Sequence, residues 1–269
     1  MIIENNRSNI LYRKWQADKA KAVFLLVHGL GGHSGRWESF AQFFLQHQIS
    51  SYAIELKGFG ETKDKKGHVR SLAIYVDDIF ALRQIITDEC PGVPIFLVGE
   101  SLGGLISFLS VTKGQPFAGL ICLSPAFKSI IKFTWLDRIK ILFAACFDPE
   151  KQFVVPFSAQ MCTRDSDYQM TIENDTLEHR VASASLLTQI LLAQIWVKPL
   201  ASAIKIPVLF LLSQRDLLVD FRKSQRIFKD LRVEDKTIIQ YPNMYHALSI
   251  DLEKKDVFQQ ILDWAIKRC

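Results

Sequence analysis

The sequence predicts an α/β fold: a mostly parallel central sheet flanked by helices, interrupted once by an inserted helical cap. Three observations carry this expectation. Short, almost wholly apolar runs such as Val23-Phe24-Leu25-Leu26-Val27 alternate with longer stretches of helical periodicity, as strands covered on both faces do. Several of these runs break directly into glycine-containing loops. The alternation then stops between about Pro125 and Pro199 and resumes at residue 206.

A chain of 269 residues can bury a full core, and 49% hydrophobic with 23% charged residues is a globular rather than a disordered composition. The formal charge of +5 comes without a Lys/Arg block interleaved with aromatics, so no nucleic-acid partner is expected. Five scattered cysteines, Cys90, Cys122, Cys146, Cys162 and Cys269, contain no C-x-x-C pair and suit a reducing compartment. Residues 1–9 hold no signal-peptide apolar core, and no segment approaches the uninterrupted apolar length of a membrane span. The expectation is a cytoplasmic protein; its oligomeric state is left open.

Residues 10–15 and 22–28 read as the first strands. The second ends in His28-Gly29-Leu30-Gly31-Gly32-His33-Ser34-Gly35, which lacks both the P-loop lysine and hydroxyl and the G-x-G-x-x-G spacing of a phosphate cradle. Residues 36–47 are helical, with Trp37, Phe40, Phe43 and Phe44 at three- and four-residue spacing. Residues 51–55 form a strand, 62–70 a solvated loop, and 72–86 a helix with Leu72, Val76, Ile79, Leu82 and Ile86 on one face. The run from Pro94 to Val98 breaks into Gly99-Glu100-Ser101-Leu102-Gly103 before the next helix, and a strand at 120–123 closes at Ser124-Pro125.

Within 125–199, the segment 126–147 carries Ile130, Ile131, Phe133, Trp135, Leu136, Ile139, Leu142 and Phe143 among Lys128, Lys132, Arg138 and Lys140. A second helical piece spans 177–196. These residues make a cap (125–199) inserted into a core of 1–124 and 200–269. Two uses of the apolar residues stay open: packing the cap onto the body, and exposure in a lipid interface with lysines at the headgroups. Residues 206–212 resume the sheet, 221–231 form a helix, 236–240 the last strand and 257–266 a terminal helix.

Gly99-Glu100-Ser101-Leu102-Gly103 at a strand-to-helix turn has the form of a nucleophile elbow, whose tight turn excludes side chains at its first and last positions. A serine hydroxyl needs a base to take its proton, and the base needs an orienting acid. Asp216 directly follows an apolar strand, at the edge where open α/β sheets place their sites; Asp220 competes four residues later. His246 lies on the loop after the last strand. The chain order Ser101, Asp216, His246 is that of an acyl-transfer triad on such a sheet. The loop after His28 then offers the backbone N–H of Leu30 to an oxyanion, with His28 and His33 shaping it. No histidine pair has metal-ligand spacing, so neither metal nor cofactor is expected.

These motifs resemble those of monoacylglycerol lipases and related lysophospholipases within the S33-type α/β-hydrolases. The resemblance rests on residues 28–38, 99–104 and 213–220 and on Tyr245-His246, spanning nearly the whole chain and weakest in the cap. It implies an α/β-hydrolase fold, Ser101, Asp216 and His246 as triad, and the amides of Leu30 and Leu102 as oxyanion hole. It also implies a lid that meets membranes, a peripheral membrane contact added to the cytoplasmic expectation. Departures are Glu100, where many relatives have histidine, Ser213, where glycine is frequent, and residues 55–61 in place of D-x-x-G-H-G-x-S. The expected function is hydrolysis of monoacylglycerol or lysophospholipid-type esters. A short-chain carboxylesterase, a thioesterase, a proline-releasing aminopeptidase and a non-catalytic binding protein remain as alternatives.

Overall fold

The computed structural model describes residues 2–5, 8–114 and 116–269; Met1, Asn6 and Arg7, part of the polar N-terminal stretch, lie outside the described residues, as does Gln115. In chain order the strands are β1 (Ile2–Asn5), β2 (Ile10–Trp15), β3 (Ala22–Val27), β4 (Ile49–Glu55), β5 (Ile95–Glu100), β6 (Gly119–Leu123), β7 (Gln152–Val154), β8 (Val181–Ser183), β9 (Val208–Ser213) and β10 (Lys236–Tyr241). The helices are α1 (Glu38–Gln46), α2 (Leu72–Glu89), α3 (Leu102–Val111), α4 (Trp135–Phe147), α5 (Ala159–Cys162), α6 (Ser166–Asn174), α7 (Ala184–Leu200), α8 (Phe221–Asp230) and α9 (Lys254–Ile266).

Eight strands form one sheet in the order β1-β2-β4-β3-β5-β6-β9-β10. The pairings from β4 to β10 are parallel, and β1 and β2 add an antiparallel edge. The mostly parallel α/β sheet expected from the sequence is therefore present. Alternate residues of the central strands feed two cores. Val23, Leu25, Val27, Leu97 and Phe210 pack with α2 and α3 residues such as Tyr75, Ile79, Leu105 and Phe108. Phe24, Leu26, Phe96, Val98 and Leu211 face α1 and α9 through Phe40, Phe44, Phe258 and Ile261. Strands apolar on both faces are what the uninterrupted runs encoded.

Between β6 and β9 the chain leaves the sheet for α4 to α7 and a small antiparallel β7–β8 pair. The sequence reading missed that pair, because three-residue strands are too short to display a period of two. The helical piece expected at 177–196 is instead α7 at Ala184–Leu200, capped by Ser183, whose hydroxyl accepts from the Leu186 N–H at 3.1 Å. A further correction concerns apolar length. The helix Ala184–Ala203 is long and apolar enough to cross a membrane by length and composition, although Thr188, Gln189 and Gln194 interrupt its sequence. Its inner residues Ala184, Leu186, Ala193 and Val197 are buried in the body, and Gln194 donates to the Ala126 carbonyl at 2.9 Å.

Candidate active site

Strand β5 ends at Glu100 and α3 starts at Leu102, so the whole turn is made at Ser101, with φ 58° and ψ −120°. That positive φ is uncommon for a residue with a side chain and lifts the serine out of the sheet. Glycine is required on either side by contact. A Cβ on Gly99 would lie 2.3 Å from the Gly103 carbonyl oxygen, and one on Gly103 only 2.1 Å from that of Val27.

His246, on the loop after β10, spans two partners. Its Nε2 lies 2.8 Å from Ser101 Oγ and its Nδ1 2.8 Å from Asp216 Oδ2. The other Asp216 oxygen accepts from the Leu218 and Val219 N–H groups at 2.8 and 2.9 Å, which fixes the carboxylate before the histidine arrives. An ionised Asp216 accepts only, so Nδ1 carries the proton and Nε2 presents its lone pair to the serine hydroxyl. Burial pushes the His246 pKa down, but the Asp216 charge and hydrogen bond, helped by Glu100, outweigh it and hold it above the ordinary 6.5. Asp220, the sequence-level rival, caps α8 through the Arg222 N–H and pairs with Lys128. The structure brings Asp216, and not Asp220, to the imidazole.

The loop after β3 lies beside Ser101, with a Cβ placed on Gly29 falling 3.1 Å from the Ser101 Cβ. His28 is buried; its Nδ1 bonds the Gly29 carbonyl at 2.8 Å and its Nε2 accepts from the Leu56 N–H at 3.1 Å. Burial drives its pKa down to about 3, so it is a neutral brace for the loop. Among the described residues, neither the Leu30 nor the Leu102 N–H donates to a protein acceptor, and both residues line the cavity described below. Two free N–H groups at the start of a helix and its facing loop are suited to an oxyanion.

Three contacts with the segment between α6 and β8 hold the same loop, and none was legible in the sequence. The His179 N–H donates to the Gly31 carbonyl at 3.0 Å, His33 Nε2 lies 2.8 Å from Asp175, and Arg36 pairs with Glu178. His33, Asp175 and Glu178 also gather ligand atoms within 4.8 Å of one another, a non-local grouping invisible to motif spacing. His33 Nδ1 accepts from the Gly35 N–H and its Nε2–H donates to Asp175, Asp175 also accepts from the Leu177 N–H, and Glu178 pairs with Arg36, so hydrogen bonds and one ion pair account for the cluster.

Two further carboxylates bear on the site: Glu100, marked in the sequence as a departure but without a partner there, and Asp251, which the sequence reading missed. Glu100, at the end of β5, accepts from the Ser249 N–H at 2.9 Å and from the Ser249 hydroxyl at 2.7 Å. Asp251, fully buried, accepts from the backbone N–H groups of Tyr245, Arg164 and Leu252. Both carboxylates hold the loop that carries His246.

Ser101 and His246 open into a cavity of about 490 Å³. Ile131, Phe133, Ile141, Leu142, Leu187 and Ile190 make the lining largely apolar, and Arg36, Glu100, Ser249, Thr188 and Gln194 are among its polar residues. An activated hydroxyl, unpartnered N–H groups and a greasy chamber are the parts an acyl transfer from a lipophilic ester needs.

Comparison with known proteins agrees. The chain is 25% identical to the phospholipase YtpA of Bacillus subtilis, over 91% of this chain and 95% of that protein. It is 26% identical to the human monoglyceride lipase, over 92% of this chain and 83% of the relative. The crystal structure of the Paleococcus ferrophilus monoacylglycerol lipase superposes with a TM-score of 0.87 at 25% identity, covering 97% of this chain and 99% of that one. A soluble variant of the Saccharomyces cerevisiae monoglyceride lipase, crystallised with a substrate analogue, shares the fold at a TM-score of 0.91 and 18% identity, covering 100% of this chain and 94% of that one. Residues 18–253 match the family described as serine aminopeptidase, S33, and the chain belongs to that family of α/β-hydrolases.

Proposed function

We propose that this chain hydrolyses carboxylic esters of lipids, of the monoacylglycerol or lysophospholipid type, through an acyl-enzyme on Ser101. The observation that carries the reading is the unbroken relay Ser101–His246–Asp216 facing a cavity with a largely apolar lining. Relatives named as a phospholipase and as monoglyceride lipases support the lipid ester class.

His246 Nε2 removes the Ser101 proton as Oγ attacks the acyl carbon, and Asp216 stabilises the imidazolium that forms. The Leu30 and Leu102 amides receive the oxyanion. As the tetrahedral species collapses, the carbon–oxygen bond to the alcohol breaks and His246 Nε2–H protonates the departing oxygen. Water, deprotonated by the same nitrogen, then attacks the acyl-enzyme; the acid leaves and Oγ regains its proton. The polar residues Arg36 and Ser249 suit the alcohol, and the apolar lining the acyl chain.

In this reading residues 125–199 are a cap on a core of 1–124 and 200–269. Part of its apolar surface packs, through Ile141 and Ala144, and part does not: Trp135 is 69% exposed, Phe143 65% and Phe147 74%, beside exposed Lys132, Arg138 and Lys140. That face suits a transient contact with an anionic lipid surface. Replacing Trp135, Phe143 and Phe147 together by serine is expected to abolish co-sedimentation with phosphatidylglycerol vesicles while soluble-ester turnover stays intact. Equal co-sedimentation refutes the contact. Free cysteines at all five positions support the cytoplasm as compartment.

The deciding experiment is turnover of an ester series from acetyl to palmitoyl, with monoacylglycerol and lysophospholipid included and Ser101→Ala as control. A maximum at medium or long chains, lost in Ser101→Ala, is expected. A maximum at acetyl overturns the lipid assignment, and an active Ser101→Ala overturns the mechanism.

A further inference from the structure

Glu100 is the one elbow residue whose chemistry the proposed mechanism leaves unused. It stands between Gly99 and Ser101, lines the cavity wall, and carries an ionisable group beside the reacting hydroxyl. Its two oxygens accept from both donors of one residue, Ser249, three positions beyond His246. The backbone N–H can only donate, so one Glu100 oxygen is an acceptor, and an ionised carboxylate satisfies both Ser249 donors. The bond joins strand β5 to the histidine loop across a separation of 149 residues.

We propose that Glu100 is a second positioning carboxylate for His246: through Ser249 it fixes the loop carrying the imidazole, and it faces that imidazole with negative charge. The proposal rests on the triad reading above.

The surrounding charges leave this role to Glu100. Asp216 bonds Nδ1 directly. Arg36, the cation that faces Glu100, is paired with Glu178. Cys162 on α5 and Tyr168 on α6 also face Glu100; burial pushes the thiol up to about 11 and the phenol above its ordinary 10, so both are neutral. His28, across the cavity, is neutral as well. Among the described residues no lysine or arginine forms an ion pair with Glu100; Arg36 acts on it only at longer range, and its charge reaches His246. Burial holds the Glu100 pKa above the ordinary carboxylate value, and the Ser249 donors, His246 and Arg36 offset only part of that rise. The effect on His246 is upward, because a nearby anion favours the imidazolium.

The sign of the test follows. Ester attack needs neutral imidazole, so the acid limb of kcat/KM tracks the His246 pKa. Glu100→Gln keeps the shape and removes the charge, and the acid limb is expected to move to lower pH by about one unit. The assay is glycerol released from a medium-chain monoacylglycerol across pH, with stoichiometric labelling by a fluorophosphonate to count folded, competent serine. An acid limb that stays at the wild-type position in labelled Glu100→Gln overturns the proposal. Should that variant not fold, Ser249→Ala is read instead. It keeps the charge but frees the loop, and kcat is expected to fall severalfold with a smaller displacement of the limb; unchanged kcat and limb overturn the proposal. Failure of the triad reading appears separately, as an active Ser101→Ala or a wild type without turnover, and takes this proposal with it.

Discussion

Asp251→Asn isolates the buried anchor of the histidine loop. Oδ1 of Asp251 accepts from the Arg164 N–H at 2.9 Å, the Leu252 N–H at 3.0 Å and the Thr163 hydroxyl at 3.2 Å. Oδ2 accepts from the Tyr245 N–H at 2.8 Å and the Arg164 Nε–H at 3.0 Å. Asparagine keeps the volume but turns one oxygen into a donor, so either amide orientation confronts at least two N–H groups with an NH2. Two buried donors left without acceptors, at about 1–3 kcal/mol each, destabilise the protein by roughly 2–6 kcal/mol. For a chain of this size, at about 2–4 °C per kcal/mol, the melting temperature falls by roughly 4–24 °C. Arg164 retains Glu253 as a partner, which keeps the loss below that of a fully orphaned charge. Burial pushes the Asp251 pKa up, but the Tyr245, Arg164 and Leu252 donors prevail and hold it below the ordinary 3.8. A depressed carboxylate contributes stability above its unfolded pKa and loses it as pH falls through the folded value. Scanning calorimetry should therefore find a constant gap between wild type and variant near neutrality that narrows below about pH 4. Equal melting temperatures, or a gap undiminished in acid, would refute this account.

Three other outcomes are expected. Gly103→Ala sets a Cβ 2.1 Å from the Val27 carbonyl oxygen, a contact with backbone, so fluorophosphonate labelling should be lost; a labelled, folded variant contradicts the elbow geometry. Asp216→Asn leaves the fold in place but favours the wrong imidazole tautomer, and kcat should fall by about 10⁴-fold, measured on a soluble ester. Ile131→Trp fills part of the apolar lining of the cavity, and the ester-series maximum should move to shorter acyl chains, an unmoved maximum placing the chain elsewhere.

The sheet was readable because its strands are buried on both faces and therefore written as continuous apolar runs, punctuated by glycine. The candidate triad was readable for a related reason: Ser101 and Asp216 sit where such runs end, and His246 follows the last strand. What stayed hidden is non-local. Glu100 and Ser249, 149 residues apart, or Asp251 and Arg164, 87 apart, have no shared motif, and each alone reads as an ordinary polar residue. The segment between β6 and β9 was blurred for another reason. Its apolar residues serve both packing and an exposed face, so periodicity marks helices without marking their inner side, and the start of α7 is set by Ser183 rather than by hydrophobic pattern.

The grip of residues 175–179 on the loop after β3 couples two distant parts of the chain beside the candidate oxyanion site. This stretch between α6 and β8 holds the Gly31 carbonyl and the side chains of His33 and Arg36, on the very turn that offers Leu30. A displacement of that stretch that broke these three contacts would slacken the turn that presents the Leu30 amide.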